Sequence, residues 1–546
     1  MIALDPITAE LVSSALVYAS EEMGIAVRDA AYSPNIKERL DHSCALFDAR
    51  ANLIAQAEHI PVHLGSLPWG LRRTIAWLEE RGWTIAPGEM IVVNDPYLSG
   101  THLNDVTVIR AVYDDGGALL GYCANKAHHT DVGGAVPGSM PPDARDLFAE
   151  GAVLPPLVLV RGDRVVDDMV ELLRANSRTP EARAGDLRAQ IAGNVVGERR
   201  FLELVRRYGR ATVEASLAKA LDDGERRTRA ALRALPDGVV DHEDVMEDQN
   251  GEPTIVLRVR LTKAGESMSL DYAGTCAQVE APLNAVYGVT LSGAYYAFRA
   301  TTDPRIPMNA GSFRPLEIRV PEGTLLNPRR PAAVGGGNVE TSMRNADLVL
   351  GALAQLAPGR LPAQSGGSMN NVMIGGIDAH GRSWAFYETN GCGMGARPDA
   401  DGIDGIHVHM TNTLNTPIEA IERAMPLEIH AYEFAEGTSG DGRFRGGSGL
   451  VRAFALREGR ATASLLAERH TVRPRGIEGG GDGATGRHLL VSGETIKELP
   501  AKVTVALDAG DEIIVQTAGG GGFGLPGERD PVARERDARD GIEPAP

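Results

Sequence analysis

The sequence predicts an α+β protein of several domains with mixed β-sheets, and three observations lead there. At 546 residues the chain exceeds one ordinary hydrophobic core. Runs with a period of two, broken by Asp/Gly turns, occupy both ends of the chain, and between them lies a block with helical periodicity.

The elements follow in order. Asp5-Pro6 reads as an N-cap with proline at the first helical position, and Ile7, Leu11, Val12, Ala15 and Leu16 mark one face of an opening helix. "RLDHSCALFDARANLIAQ" is two apolar runs around Asp48-Ala49-Arg50, which predicts a hairpin. "VTVIRAVY", Asp114-Asp115-Gly116-Gly117 and "ALLGYCANKAHHT" predict a second hairpin. A turn centred on Gly116 and Gly117 sets Asp105 opposite His128 and His102 opposite Asp131.

From about 165 to 235 spaced Leu, Ile and Val alternate with Arg, Glu and Asp. This predicts two amphipathic helices, the first started by Pro180 and the second closed by Pro236-Asp237-Gly238, with their arginines on a solvated face. Beyond that turn Leu257, Val259 and Leu261 alternate with Arg258 and Arg260, and Gly-rich connections lead to "EIIVQTAGGGGFG". The division expected is 1–164, an N-terminal α/β region; 165–235, an amphipathic helical segment; 236–526, a β-rich C-terminal region; and 527–546, a polar tail forming a short helix with a loose end.

Composition excludes several functions. A net charge of -18 opposes binding to a phosphate backbone or an anionic membrane. No run of eighteen apolar residues and no basic segment before the first apolar one occur, and four separated cysteines form no CxxC pair; a cytoplasmic enzyme with reduced thiols is expected. G-x-x-x-x-G-K-[ST] and G-x-S-x-G are absent, and no G-x-G-x-x-G opens a βαβ unit. The glycine clusters "GGGNVETSMRN" and "AGGGGFG", lacking a following helix and lysine, are weak candidates for an anion cradle, and His407 and His409 on one strand face are read as structural.

The candidate chemistry lies in "NDPYLSGTHLND". Six of the thirteen histidines fall in the first 130 residues: His42, His59, His63, His102, His128 and His129. Imidazole with carboxylate suits zinc, manganese or iron, and the hairpin register brings His102, Asp105 and His128 together. Asp41 is a candidate fourth ligand or holds the water, and Asp131 is a candidate carboxylate for orienting an imidazole. His128 and His129 alternate on a strand, so only one of them faces the site. The bland alternative is a polar loop whose Asn and Asp cap turns.

"NDPYLSGTHLNDV", "NKAHHTDVGG", "FAEGAVLPP", "DYAGTCAQVEAPLNA", "GGGNVETS", "HMTNTLNTPIE" and "AGGGGFG" stand in the order seen in the hydantoinase B/oxoprolinase family, which the chain resembles over roughly residues 3–526. That family holds the B subunit of N-methylhydantoinase, the matching half of 5-oxoprolinase, lactamase subunits and the metal subunits of acetone and acetophenone carboxylases. The resemblance implies a metal site on Asp41, His102, Asp105 and His128, zinc first and manganese or iron after it, with Asp131 matching a neighbouring acid. It also implies a separate A-type subunit that binds ATP with magnesium in an actin-like site, in an assembly of two A and two B chains. The substrate expected is a small cyclic amide, activated when the partner phosphorylates its oxygen or a bicarbonate and opened at the metal centre, with Asp41 or Asp131 taking a proton. A ketone carboxylase subunit, whose relatives are generally longer, and a non-catalytic assembly subunit are the alternatives.

Overall fold

The structure, a computed structural model, describes residues 4–57 and 59–542, so the ends of the chain, including the last four residues of the expected loose tail, lie outside the described residues. The first helix, Pro6–Ala30, is capped by Asp5, whose carboxylate accepts from the Thr8 amide at 3.0 Å. It buries Val12, Leu16, Met23 and Val27.

Seven strands make the first sheet: β1 (His42–Asp48), β2 (Leu53–Gln56), β3 (Met90–Val93), β4 (Asp105–Tyr113), β5 (Leu119–His128), β6 (Leu157–Arg161) and β7 (Arg164–Val165), in the order β2-β1-β5-β4-β3-β6-β7. The β4–β5 register pairs Asp105 with His128 and Val112 with Gly121, as the Gly116-Gly117 turn predicts, before a bulge at Tyr113. One face of this sheet packs on helix His63–Glu79 through Leu67, Leu71 and Leu78. The other face carries Pro6–Ala30 and the two long helices Pro180–Tyr208 and Arg210–Arg233, with a short helix, Asp167–Ala175, before them.

Helices 180–208 and 6–30 approach closely because Gly193 and Gly197 lack side chains: a Cβ there would lie 2.5 Å from Val27 Cγ2 and 2.5 Å from Met23 Sδ. Gln190 and Asn194 then reach the sheet and donate to the Val106 and Val108 carbonyls at 2.8 and 3.0 Å. Arg183 departs from the expected solvated face. It is buried, donates to the Asp131 carbonyl at 3.1 Å, and burial pulls its guanidinium down to about 10.

The second half builds three sheets. β8 (Gly238–Met246), β9 (Ile255–Ala264), β10 (Ser267–Asp271) and β11 (Leu316–Arg319) form one, packed on helices Tyr287–Ala300 and Ser342–Leu356. Leu257, Val259 and Leu261 point inward, while Arg258 and Arg260 pair outside with Glu243 and Asp241. β12 (Asn371–Ile377), β13 (Ser383–Glu388), β16 (Arg460–Leu466) and β19 (Lys502–Asp508) form the next. β14 (Leu427–Ala435), β15 (Gly449–Leu456), β17 (Arg487–Ser492), β18 (Thr495–Leu499) and β20 (Glu512–Gln516) form the last, and these two sheets share one core around Ile374, Phe386, Phe454 and Ile513.

The glycine runs are packing devices. A Cβ on Gly520 would lie 2.1 Å from the Met394 carbonyl oxygen, one on Gly393 1.9 Å from that of Gly447, and one on Gly446 1.9 Å from that of Gly520. Backbone lies on backbone there, joined by bonds such as Gly520 N to Gly447 O at 2.9 Å and Gly521 N to Gln364 O at 2.8 Å. "GGGNVETSMRN" does lead into a helix, through the wide turn Gly337–Thr341 that opens Ser342–Leu356. His407 and His409 lie outside any strand, with His409 in the left-handed region at φ 53°. Residues 526–540 are tied down: Arg529 pairs with Asp401 at 2.8 Å, and Asp537, on helix Pro531–Arg539, pairs with Arg445 at 3.2 Å. Among the described residues no helix is long and apolar enough to cross a membrane.

Candidate metal centre

The polar stretch at 94–105 is interior. Asn94 has no exposed surface; its amide donates to the Leu103 and Ala152 carbonyls at 2.9 and 3.0 Å, and its oxygen accepts from the Leu154 amide at 2.7 Å. Asp95 caps the single turn Pro96–Ser99, and Gly100 leaves it at φ 87°, where a Cβ would meet the Ser66 carbonyl oxygen at 2.8 Å. Asn104 donates to the His129 and Gly138 carbonyls at 3.1 and 3.0 Å. These side chains replace backbone partners that a buried loop lacks, and they deliver His102 to the end of β4 beside Asp105.

Three ligand atoms meet there. His102 Nε2 lies 3.1 Å from Asp105 Oδ1 and 3.2 Å from His128 Nδ1, and His128 Nδ1 lies 3.3 Å from Asp105 Oδ1. All three residues are buried, and among the described residues they are the cluster able to hold a metal ion. Ligands about 2.0–2.1 Å from one tetrahedral ion stand about 3.3 Å apart, so the triangle has the dimensions of a coordination face. His102 Nδ1 and His128 Nε2, the far ring nitrogens, are buried without a hydrogen-bond partner.

Asp41 lines the same small cavity, of about 20 Å³, with Ile60, Val62, Met369 and Met410 among its apolar walls. Its carbonyl accepts from the His128 amide at 3.0 Å. His63 is a member that spacing did not select: its Nε2 lies 3.3 Å from Asp105 Oδ2, and its Nδ1 is 2.8 Å from Ser43 Oγ. Asn338, from the second half, reaches Asp105 Oδ2 at 3.5 Å. Tyr387 stacks on the His128 ring at 4.5 Å and 14°, and the Arg39 guanidinium sits 4.9 Å over the Tyr387 ring. No sequence spacing signals Asn338 or Tyr387, because they come from segments more than 200 residues away; His63 was visible as one of the early histidines.

Asp131 does not stand across from His102. The hairpin ends at His128, and the Asp131 carboxylate turns to the amides of Gly133 (3.1 Å) and Gly138 (3.2 Å) and to Arg178 Nη1 (2.9 Å). It folds the loop after β5 and is absent from the cavity lining. His129 faces away from His128, as alternation requires, and its Nε2 meets Gln190 Oε1 at 3.0 Å.

Burial works against charge on Asp105, but His102, His128 and His63 around it hold its carboxyl well below the usual carboxylate range. Burial lowers the His128 imidazole despite the Asp105 bond that raises it, and pulls Lys126 down to about 7. A carboxylate held in its anionic form beside imidazole nitrogens is a donor set suited to a cation, which binds the imidazoles in their neutral form.

Residues 5–526 match the family described as hydantoinase B/oxoprolinase. The chain belongs to this family. It is 43% identical to an uncharacterised protein of Methanocaldococcus jannaschii over 96% of this chain and 92% of that one. It is 32% identical to a protein of a Pseudomonas species named as the putative B subunit of a D-/L-hydantoinase, over 99% and 93%. It is 36% identical to 5-oxoprolinase 1 of Arabidopsis thaliana over 92% of this chain, which spans 40% of that longer protein. Among solved structures, the ATP-dependent caprolactamase from Pseudomonas jessenii superposes with a TM-score of 0.91 at 30% identity, over 99% of this chain and 94% of the other. Acetone carboxylase shares the fold, with a TM-score of 0.90 at 19% identity over 98% and 78%.

Proposed function

We propose that this hydantoinase B/oxoprolinase family member is the metal-holding B-type subunit of a cytoplasmic, ATP-dependent cyclic-amide hydrolase. It opens a hydantoin, 5-oxoproline or related lactam that a separate A-type subunit activates with ATP and magnesium, in an assembly of two A and two B chains. The observation that carries this reading is the buried His102–Asp105–His128 triangle in a chain that matches a caprolactamase over nearly its full length. The greater share of the caprolactamase chain covered, 94% against 78% for acetone carboxylase, favours amide opening over ketone carboxylation.

His102, Asp105 and His128 would hold the ion, with Asp41 as fourth ligand, and zinc suits this set ahead of manganese or iron. Bound there, a divalent ion supplies Lewis-acid polarisation of the carbonyl and a lowered pKa for water. The chain's own residues do the rest. His63 and Asn338 fix Asp105 Oδ2, so that Oδ1 stays aimed at the two imidazoles. Tyr387 holds the plane of His128. Ile60, Val62, Met369 and Met410 exclude bulk water. Asp41, when its carboxylate is free of the ion, accepts the proton lost by the attacking water.

The test is elemental analysis of the purified chain beside His102→Ala and His128→Ala, followed by reconstitution with an A-type subunit. About one metal per chain, lost in both variants, and ATP-dependent ring opening abolished by Asp105→Ala are expected, with no turnover of acetone and bicarbonate. An Asp105→Ala complex that assembles and stays fully active would instead make this an assembly subunit.

A further inference from the structure

A second, larger cavity of about 960 Å³ stands beside the metal centre, and Thr411 lines both. Its size is that of a small-molecule site. Leu350, Leu353, Ile406 and Val408 make apolar wall on one part of it, and His409 and Tyr296 stand beside them, while Arg360, Arg397 and Asp399 bring charge to another part of the lining. The small cavity admits little more than one water, so a ring must be held elsewhere before it reaches the ligand triangle.

His409 is fixed from behind. Its Nε2 lies 3.0 Å from Asp347 Oδ1, and Asp347 Oδ2 accepts from Arg469 Nη2 at 2.8 Å. Burial opposes charge on Asp347, yet His409, Arg469 and Arg344 hold its carboxyl well below the usual range. An ionised carboxylate on Nε2 sets that nitrogen as an N–H donor, and in the neutral ring Nδ1 is then the acceptor. Burial pushes the Tyr296 hydroxyl up to about 12, so it remains a donor. Nδ1 and Tyr296 Oη are 3.4 Å apart, a long contact that spends little of either group's capacity. His409 takes this position in a left-handed backbone conformation at φ 53°, uncommon for a residue other than glycine and held by its surroundings.

An acceptor and a donor side by side next to an apolar wall match one edge of a cis amide, which offers N–H and C=O together. Open-chain secondary amides are trans by about 2.5 kcal/mol and present the two groups on opposite edges; a small ring enforces cis. We propose that this chamber is a binding site for cyclic amides, in which His409 Nδ1 accepts the ring N–H and the Tyr296 hydroxyl donates to the ring carbonyl. This deepens the hydrolase reading and rests on it for the identity of the ring. It adds a selection step that linear amides fail, as does the amino acid left when a lactam is opened, which no longer has an amide to present.

The experiment uses the full-length chain and two probes, ε-caprolactam and N-methyl-ε-caprolactam, with dissociation constants from calorimetry or ligand-observed NMR. Wild type and Asp105→Ala should both prefer the N–H lactam by about five- to tenfold, the worth of one hydrogen bond. Tyr296→Phe keeps the ring and should weaken both lactams alike, since both keep the carbonyl, whereas His409→Asn keeps a side chain that tolerates the left-handed backbone and should lose the preference; both should retain metal content and a cooperative unfolding transition. The proposal is overturned if ε-caprolactam does not bind at millimolar concentration, if the N-methyl lactam binds equally well to wild type, if His409→Asn keeps the preference, or if Tyr296→Phe leaves the affinity for both lactams unchanged. Binding needs neither ATP nor partner, so a chain that prefers the N–H lactam yet never opens one in the complex refutes the hydrolase reading alone. A chain that opens lactams without the preference refutes the chamber alone.

Discussion

Glu150 gives the sharpest thermodynamic prediction. It is buried on the single turn Leu147–Glu150, and its Oε1 accepts from the Val334 and Gly335 amides at 2.9 and 2.7 Å, fixing the strand of chain that runs on to Asn338. Its Oε2 is buried without a partner. Burial outweighs the two amide bonds and pushes this carboxyl from 4.5 up to about 8. A folded-state value above the unfolded one means that stability is complete below pH 4.5 and drains away as pH rises towards 8, because folding must then take up a proton. Glu150→Gln removes that uptake and keeps the shape and the acceptor oxygen. At pH 7, about 2.5 units above the unfolded value at 1.36 kcal/mol each, the variant should be more stable by roughly 3 kcal/mol. The gap should vanish near pH 4.5 and level off above pH 8. Urea unfolding of both proteins between pH 4.5 and 8.5 reads it directly. A gap that does not change with pH, or a glutamine variant less stable at pH 7, would show that the two amides keep Glu150 ionised in the fold.

Other consequences are quicker to check. Gly520→Ala places a Cβ 2.1 Å from the Met394 carbonyl oxygen and should cost more than about 4 kcal/mol or abolish folding, whereas Gly527→Ala, with nothing within 4 Å, should stay within about 0.5 kcal/mol; thermal melts compare them. His129→Ala should leave metal content unchanged and destabilise by about 2–4 kcal/mol, since it strips a buried partner from Gln190, while His128→Ala should lose the metal. Chelation should lower the unfolding midpoint of wild type and leave that of His128→Ala unmoved.

What the sequence made legible was local. Asp5-Pro6, the Gly116-Gly117 turn and the alternation of Leu257, Val259 and Leu261 each act within a few residues, so the opening helix, the β4–β5 register and β9 follow from them. The same register brought Asp105 and His128 together, and His102 was three residues away. The error at Asp131 arose one step beyond the hairpin: once β5 ends, register no longer governs, and the amides of Gly133 and Gly138 compete for the carboxylate. His63, Asn338 and Tyr387 depend on packing between distant segments. The glycine layer and buried Arg183 were hidden for a related reason, since periodicity reports which residues share a face but not what later covers it.

That separation bears on how the centre is built. The triangle comes from one hairpin and the turn before it, two strands locked in register, and such a support keeps ligand atoms within the tolerance a metal site demands. Much of the wall around it, Asn338, Met369, Tyr387, Met410 and Thr411, comes from the second half and closes against Ile60 and Val62 from the first. Substitutions at Met369, Met410 or Thr411 can therefore reshape access while His102, Asp105 and His128 stay in place, whereas Asn338 and Tyr387 touch Asp105 and His128 directly. On the proposed cyclic-amide reading, substrate differences among family members should therefore map to residues 338–413 rather than to 94–131, which exchange of these segments between two family members with different substrates would check.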